Sequence, residues 1–501
     1  MLILNLSFLL YISTLIDGND LKKDLRKGIK RDKMEKKYTE LAKNTGIFAI
    51  ANFSSKILVF LLVPLYTRVL STADYGFYDL VYTTVQLFFP ILTLDVSEAV
   101  MRFLMKDNGN DDQVFTVGLK CTLIGSIVFG IGLLGNYFFD ISKLTSEYSV
   151  CIFFLFFFYC LDNLLLQYSK GVGQVKCMAM AGVLGTAVMV ILNVLFLVVL
   201  KWGLSGYFIA NIFSYVAPSL YISLKLRVWN HISKGNTKIL QKAMFSYSVP
   251  LILNTLGWWA NNTSDRYIVS AICGVGSNGL ISVAYKIPQI ITTISAIFIQ
   301  AWQISAIEEI ESGAKDNFIS KLYGYFNGFL ALISAILILF DKPISSVMFG
   351  KSFYTAWRYV PLLIISSLIN ACAGYVGAIL GAKMNSKIMA RSALYGIIIN
   401  IVLNIILTLW LGPIGITIAT VIASFVIFYT RENGVQDYLS KKAYFKSLIS
   451  WVLLTVESVI TIVSNFWPIN IAITIFILLM YRNGILKMVK EILGIIRGKK
   501  N

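Results

Sequence analysis

Fourteen apolar segments recur along this chain, most of them roughly 18–24 residues long, the length that crosses the hydrocarbon core of a bilayer as a helix. Lipid offers the backbone no hydrogen-bonding partners, so each run must satisfy its own amides and carbonyls, which a helix does. The alternating segments of about ten residues that build a membrane barrel are not found. Composition agrees: 57% of the residues are hydrophobic and 14% charged, and the mean hydropathy is +0.73. A soluble domain is nearer half apolar and a quarter charged. The expected fold class is therefore an all-α polytopic membrane protein with about 14 transmembrane helices. They are expected at 44–66, 77–100, 115–138, 148–168, 179–200, 203–223, 246–268, 279–303, 320–340, 359–381, 389–410, 413–430, 447–466 and 468–481.

The positive charges orient these helices. Let the residues before the first helix lie in the cytoplasm and the helices alternate. Then 35 of the 44 Lys and Arg residues fall on the cytoplasmic side, counting Lys120, Lys321 and Arg391 in the cytoplasmic end turns of their helices, and 6 (Arg68, Lys143, Lys201, Lys342, Lys351, Arg358) on the other, which leaves Lys56, Arg266 and Lys286 inside helices. Short cytoplasmic loops retain Lys and Arg, so both termini are expected in the cytoplasm. A net charge of +18 can also signal nucleic acid. Here the basic residues sit in short loops between apolar helices, and no nucleic-acid partner is expected.

Before the first helix stands a short apolar run, MLILNLSFLLYISTLI, followed by a basic cluster from Lys22 to Lys37. Two readings stand. The run is a fifteenth helix, or translation starts at Met34 and residues 1–33 are not native. The second is preferred: the run is short for a span, and it lacks the positive start of a signal peptide.

Several chemistries are excluded. The cysteines Cys121, Cys151, Cys160, Cys177, Cys273 and Cys372 lie in or beside apolar segments without metal-ligand spacing, and the single histidine, His231, lies in a basic loop. The cysteines read as small buried hydrophobes. No GxxxxGK[ST], HExxH or GxSxG motif is present. The expectation is a transporter with no catalytic residue, no metal and no cofactor, driven by a gradient rather than by ATP on this chain.

The organisation expected is a basic cytoplasmic segment at 1–43, a first lobe of six helices at 44–223, a cytoplasmic linker at 224–245, a second lobe of six helices at 246–430, and two further helices with a basic tail at 431–501. The first two helices of each lobe are laid out alike. Each first helix carries polar residues and an Arg near its end (Arg68, Arg266), then a Gly-containing turn leads into a second helix with a polar stripe. Six helices per lobe is an even number, so the lobes form parallel repeats about an axis along the membrane normal.

Polar residues in these four helices share faces, since positions three or four apart lie on one side of a helix. They are Thr45, Asn52 and Lys56 in the first; Asp79, Thr83, Gln86, Thr93 and Ser97 in the second; Asn254, Trp258, Asn261 and Asp265 in the seventh; Ser282, Lys286, Gln289, Thr293 and Gln300 in the eighth. Two readings compete: polar residues that glue neighbouring helices, and residues that line a water-filled cavity. Four stripes in repeated positions favour the cavity. Its candidate substrate-binding residues are Asn52, Lys56, Arg68, Gln86, Asn261, Asp265, Arg266, Lys286 and Gln289. More cations than acids suit a phosphate or pyrophosphate group. Snorkelling to the interface is an equal alternative for Arg68 and Arg266. Asp95, Glu98, Arg102 and Asp162 are candidates for a gate or an ion-coupling site, with a local ion pair as the plainer reading of the first three. Glu457 is a buried acid without an assigned role.

The stretches VPLYTRVLSTADYGFYDL, DRYIVSAICGVGSNGLISVAYKI and AWQISAIEEIE, together with the start MEKKYTELAKNTGIFAI at Met34, resemble bacterial polysaccharide repeat-unit flippases of the Wzx type. That family lies within the multidrug/oligosaccharidyl-lipid/polysaccharide exporter superfamily, and the resemblance spans about residues 34–482. It implies two six-helix bundles in a V around a central cationic cavity lined by helices 1, 2, 7 and 8, with alternating access. It also implies a bacterial plasma-membrane location, and a substrate that is an undecaprenyl-pyrophosphate-linked oligosaccharide moved from the inner to the outer leaflet. Contact with a polysaccharide polymerase and assembly proteins is implied too. The alternatives within the superfamily are a cation-coupled multidrug exporter and a flippase of the peptidoglycan lipid precursor.

Overall fold

A computed structural model describes residues 58–105, 111–139, 142–233, 235, 237–311, 318–464 and 466–498. Among the described residues every regular element is a helix. In chain order they are α1 (Val63–Val69), α2 (Thr72–Leu92), α3 (Val96–Leu104), α4 (Asp111–Phe139), α5 (Lys143–Glu147), α6 (Ser149–Gly171), α7 (Val175–Asn193, continued by a π-helical turn Val194–Val199), α8 (Gly203–Leu226), α9 (Lys238–Cys273), α10 (Val275–Ala284), α11 (Gln289–Glu311), α12 (Phe318–Leu339), α13 (Asp341–Met348), α14 (Val360–Ala382), α15 (Ser386–Leu411), α16 (Ile414–Glu432), α17 (Lys441–Val463) and α18 (Trp467–Gly498).

The segments expected from the sequence fall on these helices, except that residues 44–57 of the first lie outside the described residues. Nine helices among the described residues are long and apolar enough to cross a membrane, and the bent pair α10 and α11 makes a tenth. The other four expected segments are occupied by α2 and α9, which carry the polar faces, and by the shorter apolar helices Leu58–Val69 and Trp467–Arg482.

Two expected helices are interrupted. The segment 77–100 breaks between α2 and α3, where Leu94 (φ 55°) and Asp95 (φ 49°) are left-handed. Pro90 lies one turn earlier, and the Asp95 amide donates to the Pro90 carbonyl at 3.0 Å. The segment 279–303 breaks between α10 and α11 with a bend of 50°. Pro288 accounts for this one: it has no N–H to give to the ladder and keeps the residue before it out of the helical region. The segment 224–245 is not all linker, because α8 runs to Leu226 and α9 starts at Lys238. Lys and Gln there are good helix formers, so α9 extends for 36 residues.

The described residues group into two compact units, 58–280 with 348–353, and 281–347 with 354–498. In the first, Val96, Val100, Phe115, Leu164, Tyr168 and Met244 build a core that joins α3, α4, α6 and the start of α9. A second nucleus is aromatic: Tyr66 stacks on Tyr75 at 4.8 Å, and Tyr78 meets Tyr207 edge-on at 4.5 Å. In the second unit α14 is the buried centre. Tyr375 stacks on Trp302 at 4.6 Å and its carbonyl accepts from the Trp302 indole at 3.1 Å. Asn327 of α12 ties α17 and α18 to that centre. Its amide donates to Tyr481 Oη at 2.8 Å, and its carbonyl accepts from Trp451 Nε1 at 3.0 Å and from Cys372 Sγ at 3.3 Å.

Candidate functional site: a polar seam along the second and seventh segments

α2 begins at Ser71 with a reciprocal cap: Ser71 Oγ accepts from the Asp74 amide at 3.0 Å and the Asp74 carboxylate accepts from the Ser71 amide at 3.2 Å. This cap fixes the start of the helix and so the direction of every polar residue after it. At the same end α10 crosses α2 through Gly76 and Gly279. A Cβ on Gly76 would run into the Val275 carbonyl, and one on Gly279 into the Thr72 carbonyl. Only hydrogen at both positions lets the two backbones pass this closely.

From this crossing a ladder of polar contacts runs along α2 and α9, which lie antiparallel. Arg266 Nη1 donates to Asp79 Oδ1 at 2.5 Å and to Oδ2 at 2.6 Å. The buried Asn278 amide adds a bond to the Gly76 carbonyl at 2.9 Å and a longer one to Asp79 Oδ2 at 3.4 Å. Further along, Thr84 Oγ1 and Tyr267 Oη are 2.6 Å apart, and Trp259 Nε1 donates to the Thr83 carbonyl at 2.9 Å. At the far end Thr255 Oγ1 donates to Asp95 Oδ2 at 3.1 Å. Asp95 sits at the break before α3, in the left-handed conformation that aspartate tolerates better than most residues. The seam thus spends polar groups on holding α2 to α9, as hydrogen-bonding side chains do between membrane helices.

The sequence-predicted residues divide accordingly. Arg266 is engaged with Asp79, so its charge is balanced inside the seam. Asp265, its neighbour, is buried; Asn261 and Gln86 are half-buried on the same two helices. Asp95 joins the seam directly. Glu98 accepts from Gln167 Nε2 at 2.5 Å, which ties α3 to α6. Arg102 is exposed and makes no ion pair with Asp95 or Glu98, so the local pair expected as the plainer reading is not formed. Asp162 is buried in α6, and its Oδ1 has no hydrogen-bond partner among the described residues. Arg68 is exposed in the last turn of α1. In the second unit Lys286 is half-buried at the bend between α10 and α11, and Gln289 at the start of α11 is exposed. Asn52 and Lys56 lie outside the described residues.

Asn278, Thr255, Trp259 and Tyr267 are seam residues that sequence reasoning passed over. All four are uncharged donors or acceptors that look ordinary in any helix. Asp79 was visible in the stripe, and the signal for its role was the single arginine within the seventh segment. An open groove of about 650 Å³ at the start of α9 is lined by residues that include Lys238, Lys242, Phe245 and Pro250; none of the predicted binding residues lines it. Among the described residues no three His, Cys, Asp or Glu side chains gather as a metal site.

A family model described as polysaccharide biosynthesis protein matches residues 41–303 of this chain. No curated protein matches it. Among solved structures, the lipid II flippase MurJ in an inward closed conformation is similar over 87% of this chain and 99% of its own, with 17% identity and a TM-score of 0.61. An inward-facing multidrug resistance MATE family transporter of the MOP superfamily is similar over 81% of this chain and 99% of its own, with 15% identity and a TM-score of 0.60. An outward-facing conformation of such a transporter is similar over 82% and 96%, with 17% identity and a TM-score of 0.51. At these identities the likeness is one of fold.

Proposed function

The chain belongs to the polysaccharide biosynthesis protein family, and from that premise we propose that it is a flippase for a lipid-linked anionic oligosaccharide. The substrate is an undecaprenyl-pyrophosphate-linked repeat unit, carried from the inner to the outer leaflet by alternating access and handed to O-antigen, capsule or exopolysaccharide assembly. The observation that supports this reading is Lys286. A cation about two turns inside a bilayer-length segment is rare and functional by default. Here it stands at the break between α10 and α11, and broken helices are where transporters hold their substrates, because the interruption frees backbone groups as well as side chains. An ammonium beside such a break suits a pyrophosphate.

The seam has a part in the same cycle. The Arg266 and Asp79 pair, with the glycine crossing beside it, holds one end of α2, α9 and α10 shut. On the charge-derived orientation that end faces outward. Opening on that side separates the pair and frees Arg266 to meet the departing headgroup. Surface polymer in a complemented strain tests the reading: Lys286→Ala should abolish export and Lys286→Arg should retain part of it, at equal membrane levels. Export by Lys286→Ala at the wild-type level would sink the cationic-site reading.

A second reading, a cation-coupled drug exporter, is favoured by the buried acids Asp95 and Asp162 of the first unit. It requires drug resistance on expression without any change in surface polymer.

A further inference from the structure

We propose that Glu457, Asn470, Thr461 and Thr474 form a binding site for one monovalent cation, a proton or a sodium ion, inside the α17 and α18 hairpin. Nothing in the flippase reading uses these residues.

Glu457 is fully buried on α17, and Asn470 is 2% exposed on α18. The hydrogen bonds around them can be counted. Thr461 Oγ1 donates to the Glu457 carbonyl at 2.9 Å, so its hydroxyl proton is spent. Its oxygen then only accepts, and the Asn470 amide nitrogen donates to it at 2.8 Å. That contact fixes the amide orientation and leaves Asn470 Oδ1 as an acceptor. Thr474 Oγ1 has one proton and two acceptors in reach, the Asn470 carbonyl at 3.0 Å and Glu457 Oε1 at 3.3 Å. Glu457 Oε2 and Asn470 Oδ1, both buried, have no hydrogen-bond partner among the described residues. The cluster is rich in oxygen and short of donors, and with Glu457 ionised it carries one negative charge.

Among the described residues no side chain forms an ion pair with Glu457. α12, α14 and α18 pack against α17. The first runs parallel to α17, since Tyr323 meets Ser447 and Asn327 meets Ser450. Two turns further on, Glu457 stands level with the buried Ser334, and α12 carries no titratable residue from Phe326 to Leu339. On the packed helices Tyr323, Cys372, Tyr375 and Tyr481 are engaged at the Asn327 level or below it. Asp341 lies beyond the far end of α12, and Lys446, an α17 residue, rests over the Tyr481 ring at 4.2 Å. A lone carboxylate in a lipid-crossing helix is costly unless neutralised. Hard oxygen ligands and a single charge suit a proton or a small monovalent cation rather than a transition metal.

The test is infrared spectroscopy of the purified full-length protein over a pH series, in sodium chloride and in choline chloride at equal ionic strength, alongside 22Na+ binding. Wild type should show a carboxylic-acid band that titrates and that is missing from Glu457→Gln. If sodium shares the site, each tenfold rise in its concentration above the dissociation constant lowers the midpoint by about one pH unit, as competition for a single site requires. A midpoint indifferent to sodium assigns the site to the proton. Thr474→Val, which removes one ligand and keeps the carboxyl, should move the midpoint and guards against a misfolded Glu457→Gln. A Glu457-dependent band that neither pH nor sodium changes would mean a permanently protonated acid, and the proposal would be wrong. It would be equally wrong if neither a titrating band nor bound 22Na+ depended on Glu457. The readout is binding, so it stands apart from polymer export.

Discussion

Arg266 Nη1 lies within 2.6 Å of both carboxylate oxygens of Asp79, and this pair ties α9 to α2 where neither charge is well solvated. Removing one partner strands the other. Asp79→Ala should destabilise the detergent-purified protein by about 3–5 kcal/mol in thermal unfolding, because an uncompensated buried charge costs more than the pair contributes. The double variant Asp79→Leu with Arg266→Met should recover most of that loss. Equal instability of the single and double variants would show that the pair is not the source.

Gly76 and Gly132 offer a matched contrast. A methyl on Gly76 meets the Val275 carbonyl, whereas one on Gly132 meets nothing within 4 Å. Gly76→Ala should lower stability by about 1–3 kcal/mol through overpacking. Gly132→Ala should raise it by roughly 0.5–1 kcal/mol, since alanine is the better helix former. Unfolding midpoints of the two variants measured side by side check both signs.

Asn327 is the node that binds α17 and α18 to the second unit. Asn327→Leu leaves the Trp451 indole N–H without its acceptor, and an orphaned buried donor costs about 1–3 kcal/mol. The hairpin should loosen before the rest of the unit. Limited proteolysis should therefore cut the 464–466 connection faster in the variant while α14 stays protected.

Asp341, outside the membrane-spanning segments at the start of α13, gives a pH prediction. Burial raises its carboxyl well above the ordinary value, opposed by the Ser345 hydroxyl and by Lys342. The folded state therefore holds this proton more tightly than the unfolded chain. Stability from this group is full below the ordinary aspartate pKa and falls as pH rises towards the folded value. Asp341→Asn should flatten that decline. Unfolding midpoints at a series of pH values, wild type against variant, should converge in acid and separate as pH rises.

The helices were legible because lipid imposes one rule on every crossing segment, and a run of Leu, Ile, Val and Phe announces it. The breaks were less so. The bend in the eighth segment comes from Pro288, a signal that the reading of 279–303 as one helix did not use. The break at Leu94 and Asp95 uses two left-handed residues that are not glycine, held by contacts such as Thr255 to Asp95 that exist only once α9 is in place. The site was half legible for the same reason. Stripes showed which faces of α2 and α9 are polar, but whether Arg266 faces a ligand or Asp79 depends on the antiparallel pairing of helices 187 residues apart.

The polar seam also bears on how the chain enters the bilayer. Neither α2 nor α9 is among the helices apolar enough to cross by itself, so neither should leave the insertion machinery for lipid unaided. α2 must wait beside the translocation channel until α9 follows and brings Arg266 to Asp79. Membrane integration of the first unit is then a cooperative event rather than a succession of independent helices, and a nascent chain truncated before α9 would expose Asp79 to oil.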